Sequence, residues 1–516
     1  MRIHAPLLLL PFLFAPAPAG GDEELDAVLA TITAEDCFAR VGILAGPGMN
    51  GRATPSRGLE EALAYVEKEL AALGLEPAGA EGSYRVEYEM PCLLADETSQ
   101  FRWIDGKGEE HPAAAGEGFT PVPGSSASGV RGEPIFVGYA IDAKNERWID
   151  LSPKKVKGKV VFAFTREPRA DDPKNKSFDG LEASRYSQID MKTRAVEQAG
   201  GVGLVLIADP AGFPDATGPI PDLLPMGLGN RAPRDPGRYA QLPLPVASVS
   251  RAIAEEIFGE DLAAYQAAID KRHKPKLLEV KNGVVVDFTV RWKVEDVKIP
   301  NLAARIPGSD GGGKAVVLGA HLDHVGLNFL FDRGRARVHP GADDNASGCA
   351  TLLEVAQAFA GTKPVHEMLF LWFTGEELGL VGSQAYCAEP VHAHKDTIAM
   401  LNMDMVGRGD PKEMSVGGTW DDPAWRKFVD GQRKRIGSRI KIDFEGGRDL
   451  YPRSDQYSFY QKDVPALFFY EGDINSNKTY HTPQDLAETI DGEKMGSIGR
   501  LFAATAYALA FEGEQP

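Results

Sequence analysis

From about residue 285 onward, short apolar runs alternate with stretches of helical composition. The runs are VVVDFTVRWKV (284–294), KAVVLGAHLD (314–323), MLFLWFTGEE (368–377), TIAMLNMDMVG (397–407) and VPALFFYEGD (464–473). Three are almost continuously hydrophobic, as expected of strands buried on both faces. Helical candidates lie between them, notably ASGCATLLEVAQAFA (346–360). This alternation predicts an α/β fold: a mixed, mostly parallel central sheet flanked by helices. Ligands of such sheets gather at the carboxyl ends of the strands.

The rest of the chain divides by texture. Residues 1–19 combine one Arg, an apolar run and Ala17-Pro18-Ala19, the pattern of a cleaved signal peptide, and predict a secreted or periplasmic protein. In residues 56–79, Leu59, Leu63, Val66, Leu70 and Leu73 share one helical face; Ser56 and Gly74 supply the stop signals. From 120 to 275 the runs GEPIFVGYAI, VKGKVVFAFT, GVGLVLIAD and LPVASVS sit between loops rich in Pro, Gly and Asp, which predicts a separate β-rich unit. The expected division is therefore 1–19 signal peptide, 20–119 first part of the main domain, 120–275 insertion and 276–516 remainder. A net charge of −18 argues against nucleic acid or an anionic membrane as principal partner. No later run approaches the length of a membrane span. Cys37, Cys92, Cys349 and Cys387 are too few for a disulfide framework and read as buried thiols.

The residues that end the apolar runs carry the chemistry. VVLGA leads into His321-Leu322-Asp323, LFLWFTG into Glu376-Glu377, and AMLNM into Asp404. Asp343-Asp344 precedes a helical stretch, and His481 follows in YHTPQD. Each alone is ordinary: a solvated loop, or a helix cap. Together they make a set of two histidines and several carboxylates suited to two zinc ions ~3.5–4 Å apart, with one carboxylate shared between them. A further free carboxylate would serve as base.

The ordered motifs GAHLDH, GADDNASG, FTGEELGLVGS, LNMDMVG, YPRSDQ and YHTPQD, all between residues 319 and 485, resemble the M28 family of zinc aminopeptidases. Residues 120–275 resemble the protease-associated domain inserted in such peptidases. The resemblance implies His321, Asp343 and Asp404 on one zinc and Asp343, Glu377 and His481 on the other, with Asp343 bridging. It implies a cis peptide between Asp343 and Asp344, Asp323 orienting the imidazole of His321, Glu376 as general base and Tyr451 as donor to the oxyanion. His324, His366, His392 and His394 read as surface or core residues, and His339 has no assigned role.

The expected activity is removal of N-terminal residues from peptides, with two zinc ions as cofactors. Alternatives are a carboxypeptidase of the glutamate-carboxypeptidase type, for which no clamping arginine cluster is evident, and a glutaminyl-cyclase-like transferase, which would not need the insertion. A receptor-like ectodomain without metals conflicts with the intact set of acids and histidines.

Overall fold

The structure, a computed structural model, describes residues 21–516 except 179, 181–183, 215, 221–222, 281–282, 328–337 and 473–476. The expected signal peptide lies outside the described residues.

The central sheet runs in the order Met226–Gly227, Arg85–Ala95, Trp292–Ile306, Glu367–Phe373, Ala315–His321, Thr397–Met403, Ala466–Tyr470, Glu413–Gly417, Lys441–Asp443. Its middle is parallel: Ala315–His321 pairs with both Glu367–Phe373 and Thr397–Met403, and the latter with Ala466–Tyr470. All residues of the first three are buried, which explains their unbroken hydrophobicity. Trp292–Ile306 joins this core antiparallel, as does Glu413–Gly417. One face of the sheet is covered by helices Ala34–Leu44, Arg57–Leu73, Gly348–Phe359 and Gly492–Ala510, whose apolar residues share one core with it. The other face packs on Tyr386, Cys387 and Phe459. The helix expected after Ser56 spans Arg57–Leu73; Ser56 Oγ accepts from the Leu59 amide, and Gly74 closes the last turn in the left-handed region at φ 71°.

Two expectations change. The run VVVDFTVRWKV is not one strand. It splits near Val290: Val285–Thr289 belongs to an antiparallel sheet with Gln100–Ile104 and Gly129–Gly132, and Trp292 starts the long strand of the central sheet. The insertion is also less purely β than its loops suggest. Its six-stranded sheet is parallel at Pro134–Phe136, Val160–Phe164, Gly203–Ile207 and Val246–Val249, and it carries helices Ile189–Gln198, Arg251–Phe258 and Leu262–Arg272. Phe101, Trp103, Val286 and Phe288 are buried in the same core as Phe136, Phe162 and Phe164. This packed unit therefore reaches beyond 120–275 on both sides. It touches the central sheet by adding Met226–Gly227 antiparallel to the edge strand Arg85–Ala95. All four cysteines are buried free thiols.

Candidate metal centre

The carboxyl ends of the parallel strands converge as the topology requires. His321 ends one strand; Glu376-Glu377 and Asp404 follow the next two. The loop Ala342–Ser347, at the start of helix Gly348–Phe359, enters from the side.

Two groups of donors form there. In the first, His321 Nε2 lies 3.2 Å from Asp404 Oδ1 and 4.0 Å from Glu376 Oε2. In the second, His324, Asp344, Glu377 and His481 offer one atom each, all within 4.8 Å of one another. Asp344 stands between the groups: Oδ1 is 3.4 Å from His321 Nε2, and Oδ2 is 3.0 Å from His481 Nε2 and 3.7 Å from His324 Nδ1. His481 Nε2 is also 3.0 Å from Glu377 Oε2, yet it is aligned for a hydrogen bond with neither carboxylate. A nitrogen aimed between two carboxylates at that distance suits a shared cation, and this donor set of imidazoles and carboxylates fits zinc.

The shared acid is therefore Asp344, and the expectation for Asp343 is corrected. The Asp343 carboxylate turns the other way, accepting from the Gly407 amide and Asn477 Nδ2, both at 2.9 Å, beside Glu471. The cis peptide also falls one residue later, at Asp344-Asn345. The loop is fixed from several sides. Asp485 Oδ1 accepts from the Asp343 amide at 2.9 Å and Oδ2 from the Asp344 amide at 3.2 Å. Asn345 accepts from the amides of Gly348 and Met405 and donates to Met403 O. Arg52, fully buried, donates to four main-chain carbonyls, those of Leu44, Leu322, Pro340 and Gly341.

Asp323 works differently from the expected orienter. Its carboxylate is 3.9 Å from His321 Nδ1, too far for a hydrogen bond; the imidazole nitrogen instead lies 3.2 Å from the main-chain carbonyl of Asp323. The carboxylate accepts from Thr54 Oγ1 at 2.9 Å and from the Glu376 amide at 3.2 Å, so it seats the base rather than the ligand. Tyr451 is not at the centre. Its hydroxyl donates to Ala466 O at 2.8 Å, and its ring packs against Trp420 and Tyr460. The tyrosine beside the acids is Tyr480, which with Arg453, Asp344, Glu376 and Asp404 lines one cavity. Its ring stacks on His481 at 3.9 Å between centroids, and its hydroxyl accepts from Arg453 Nη2 at 3.0 Å. Met405, Leu450, Phe468 and Tyr470 form the apolar wall of that cavity.

His366, His392 and His394 pair with Asp310, Glu367 and the Cys387 carbonyl, away from the centre, as expected. His324, read in sequence as a core or surface residue, is instead within the second group. Glu471 follows the strand Ala466–Tyr470 and lines the same cavity; the strand-end pattern would have found it. Arg52 and Asp485 carry no local signal of their roles.

Burial pushes the Glu376 carboxyl well above the usual range, with Glu377 and Asp404 adding to the rise against the opposing effect of His321. Burial acts on Asp344 in the same direction, but His324, His321 and His481 outweigh it and hold the acid well below its usual range. Glu377 is lowered to about 2: the imidazoles of His324 and His481 overcome burial and the charge of Asp344. Burial opposes protonation of His481, but Asp344 and Glu377 raise it to about 10. His321 is likewise raised well above its ordinary value, by Asp404 and Glu376 against burial.

Residues 301–506 match the sequence profile of peptidase family M28. A probable leucine aminopeptidase of Arthroderma otae is 35% identical over 257 residues, 48% of this chain and 69% of that protein. Another, of Trichophyton verrucosum, is 36% identical over 230 residues, 42% of this chain and 61% of that protein; the chain spans the same 61% of the relative from Arthroderma benhamiae. The solved structure of a zinc aminopeptidase from Bacillus subtilis is 17% identical, with a TM-score of 0.47 over 93% of this chain and 95% of that one.

Proposed function

The chain belongs to peptidase family M28, and from that premise we propose that it is a dizinc aminopeptidase that removes single residues from the N-termini of peptides. His321, Asp344 and Asp404 would hold one zinc; Asp344, Glu377 and His481 would hold the other. The observation that carries this reading is the Asp344 carboxylate, with one oxygen toward each imidazole group. Zinc bound here supplies Lewis acidity, polarising the scissile carbonyl and making water nucleophilic near neutral pH. Glu376, 4.0 Å from His321 Nε2 and free of the proposed ligand sets, takes the proton of the attacking water and returns it to the leaving amine. Asp323, through the Glu376 amide, keeps this carboxylate facing the centre. Tyr480 takes the role that the resemblance gave to Tyr451: its hydroxyl and Arg453 face the cavity where the oxyanion forms. Met405, Leu450 and Phe468 would receive an apolar first side chain, in keeping with relatives named leucine aminopeptidases. The leader at residues 1–19 assigns the protein to the secreted or periplasmic space. No helix among the described residues is long and apolar enough to cross a membrane.

One observation favours a second reading. Arg231, Arg453 and Lys462 line the cleft that continues past Glu376, Glu377 and His481, and such cations could hold a free C-terminal carboxylate, as a carboxypeptidase requires. One experiment decides: metal content, with hydrolysis of leucyl p-nitroanilide and of peptides blocked at either end. Two zinc per chain and cleavage abolished only by N-acetylation are expected. Cleavage that needs a free C-terminus would overturn the aminopeptidase reading.

A further inference from the structure

His324 stands three residues beyond His321, outside the ligand set that the ordered motifs imply, yet its ring is part of the centre. The residue is 1% exposed, and Nδ1 lies 2.7 Å from Glu377 Oε1 and 3.7 Å from Asp344 Oδ2. Its ring meets that of His481 edge-on, 5.5 Å between centroids. The pose is imposed by the backbone. The His324 amide donates to Arg52 O at 3.1 Å. Gly341, at φ 61°, leaves the space the ring occupies; a Cβ there would come within 2.5 Å of it. Nε2 is buried and has no hydrogen-bond partner among the described residues. This ring directs its one engaged nitrogen at the two carboxylates of the second group.

We propose that His324 is a direct ligand of the zinc held by Glu377 and His481, so that the two metal positions are unequal. His324, His481, Glu377 and Asp344 would give that zinc four protein donors, the number found in closed zinc sites that hold metal firmly. His321, Asp404 and the shared Asp344 leave a position open at the other, beside Glu376. The closed position fills first and retains its ion; the open one exchanges and admits water and substrate. The inference rests on the dizinc reading above.

The test is made on the metal-free full chain, titrated with zinc alone. Wild type is expected to bind two ions in resolved steps. X-ray absorption at one equivalent of zinc should show two imidazoles per ion. His324→Ala should still bind two ions at saturating zinc, with the tight step weakened about 100-fold or more and one imidazole at one equivalent. Circular dichroism and the urea midpoint of the metal-free variant establish that it folds; the wild-type imidazole count does not depend on the variant. One imidazole per ion in wild type, or a loss of affinity in His324→Ala with the imidazole count unchanged, would overturn ligation by His324 while leaving two zinc per chain intact. Fewer than two ions on wild type would instead overturn the dizinc reading itself.

Discussion

Asp485 ties the two ligand-bearing loops together, and replacing it with Asn isolates what that tie is worth. The carboxylate receives the Asp343 amide at Oδ1 and the Asp344 amide at Oδ2, and Arg408 Nη2 lies 2.8 Å from Oδ1. Its main-chain carbonyl also accepts from the Ala342 amide. The side chain is fully buried. A carboxamide has the same shape but only one acceptor oxygen. Whichever way it is turned, its NH2 faces a main-chain N–H of the loop, which then has no acceptor. Leaving one buried amide unsatisfied costs about 1–3 kcal/mol, and losing the charge on the surviving bonds removes about 1 kcal/mol more. The expected loss is therefore about 2–4 kcal/mol of unfolding free energy in the metal-free protein, read as a lower urea midpoint at unchanged slope. Because the loop carries Asp344 and its partner segment carries His481, zinc affinity should fall by about 10–100-fold, the usual effect of losing a group that orients ligands. An Asp485→Asn protein with the wild-type midpoint and wild-type zinc affinity would refute the view that this carboxylate holds the loop in place.

Three further outcomes follow from the geometry. Asp344→Asn should abolish tight binding of the zinc pair, whereas Asp343→Asn should keep two ions per chain, because Asp343 turns to Gly407, Asn477 and Glu471; equal loss in both, by metal analysis after dialysis, would contradict the assignment. Tyr451→Phe should leave kcat and KM unchanged and lower stability by about 1 kcal/mol through the lost bond to Ala466 O, while Tyr480→Phe should lower kcat about tenfold or more with little change in KM. Metal binding should release protons at pH 7: His481 in the metal-free protein titrates at about 10, a ligand must be neutral, and so apparent affinity rises with pH until about 10. Calorimetry in buffers of different ionisation enthalpy checks the release, and none would contradict it. By the same shift, His481 stabilises the metal-free fold fully below its unfolded value near 6.5, and this is lost as pH rises through about 10.

The sheet was legible because its strands are buried on both faces and end abruptly at polar residues; His321, Glu376, Glu377 and Asp404 follow from that pattern alone. Asp343 and Asp344 could not be told apart in the same way. Which of two adjacent acids faces the histidines of the candidate metal centre depends on backbone angles at Asp344 and Asn345, and the motif is equally compatible with either. His324 was missed because residues 322–324 leave the strand, so strand alternation no longer says where a side chain points. Tyr451 and Tyr480 both lie near the motifs; only the fold shows that one hydroxyl is spent on Ala466 O. Arg52 acts on carbonyls at Leu322, Pro340 and Gly341, about 270 to 290 residues away in sequence, and no local pattern encodes that.

The most direct test of the account is a diffraction experiment on zinc-loaded crystals, with anomalous maps recorded on either side of the zinc absorption edge. Two peaks about 3.5–4 Å apart, flanking the carboxylate of Asp344 with Glu376 beside the peak at His321, are the predicted result. A single peak, or two peaks flanking Asp343, would contradict it.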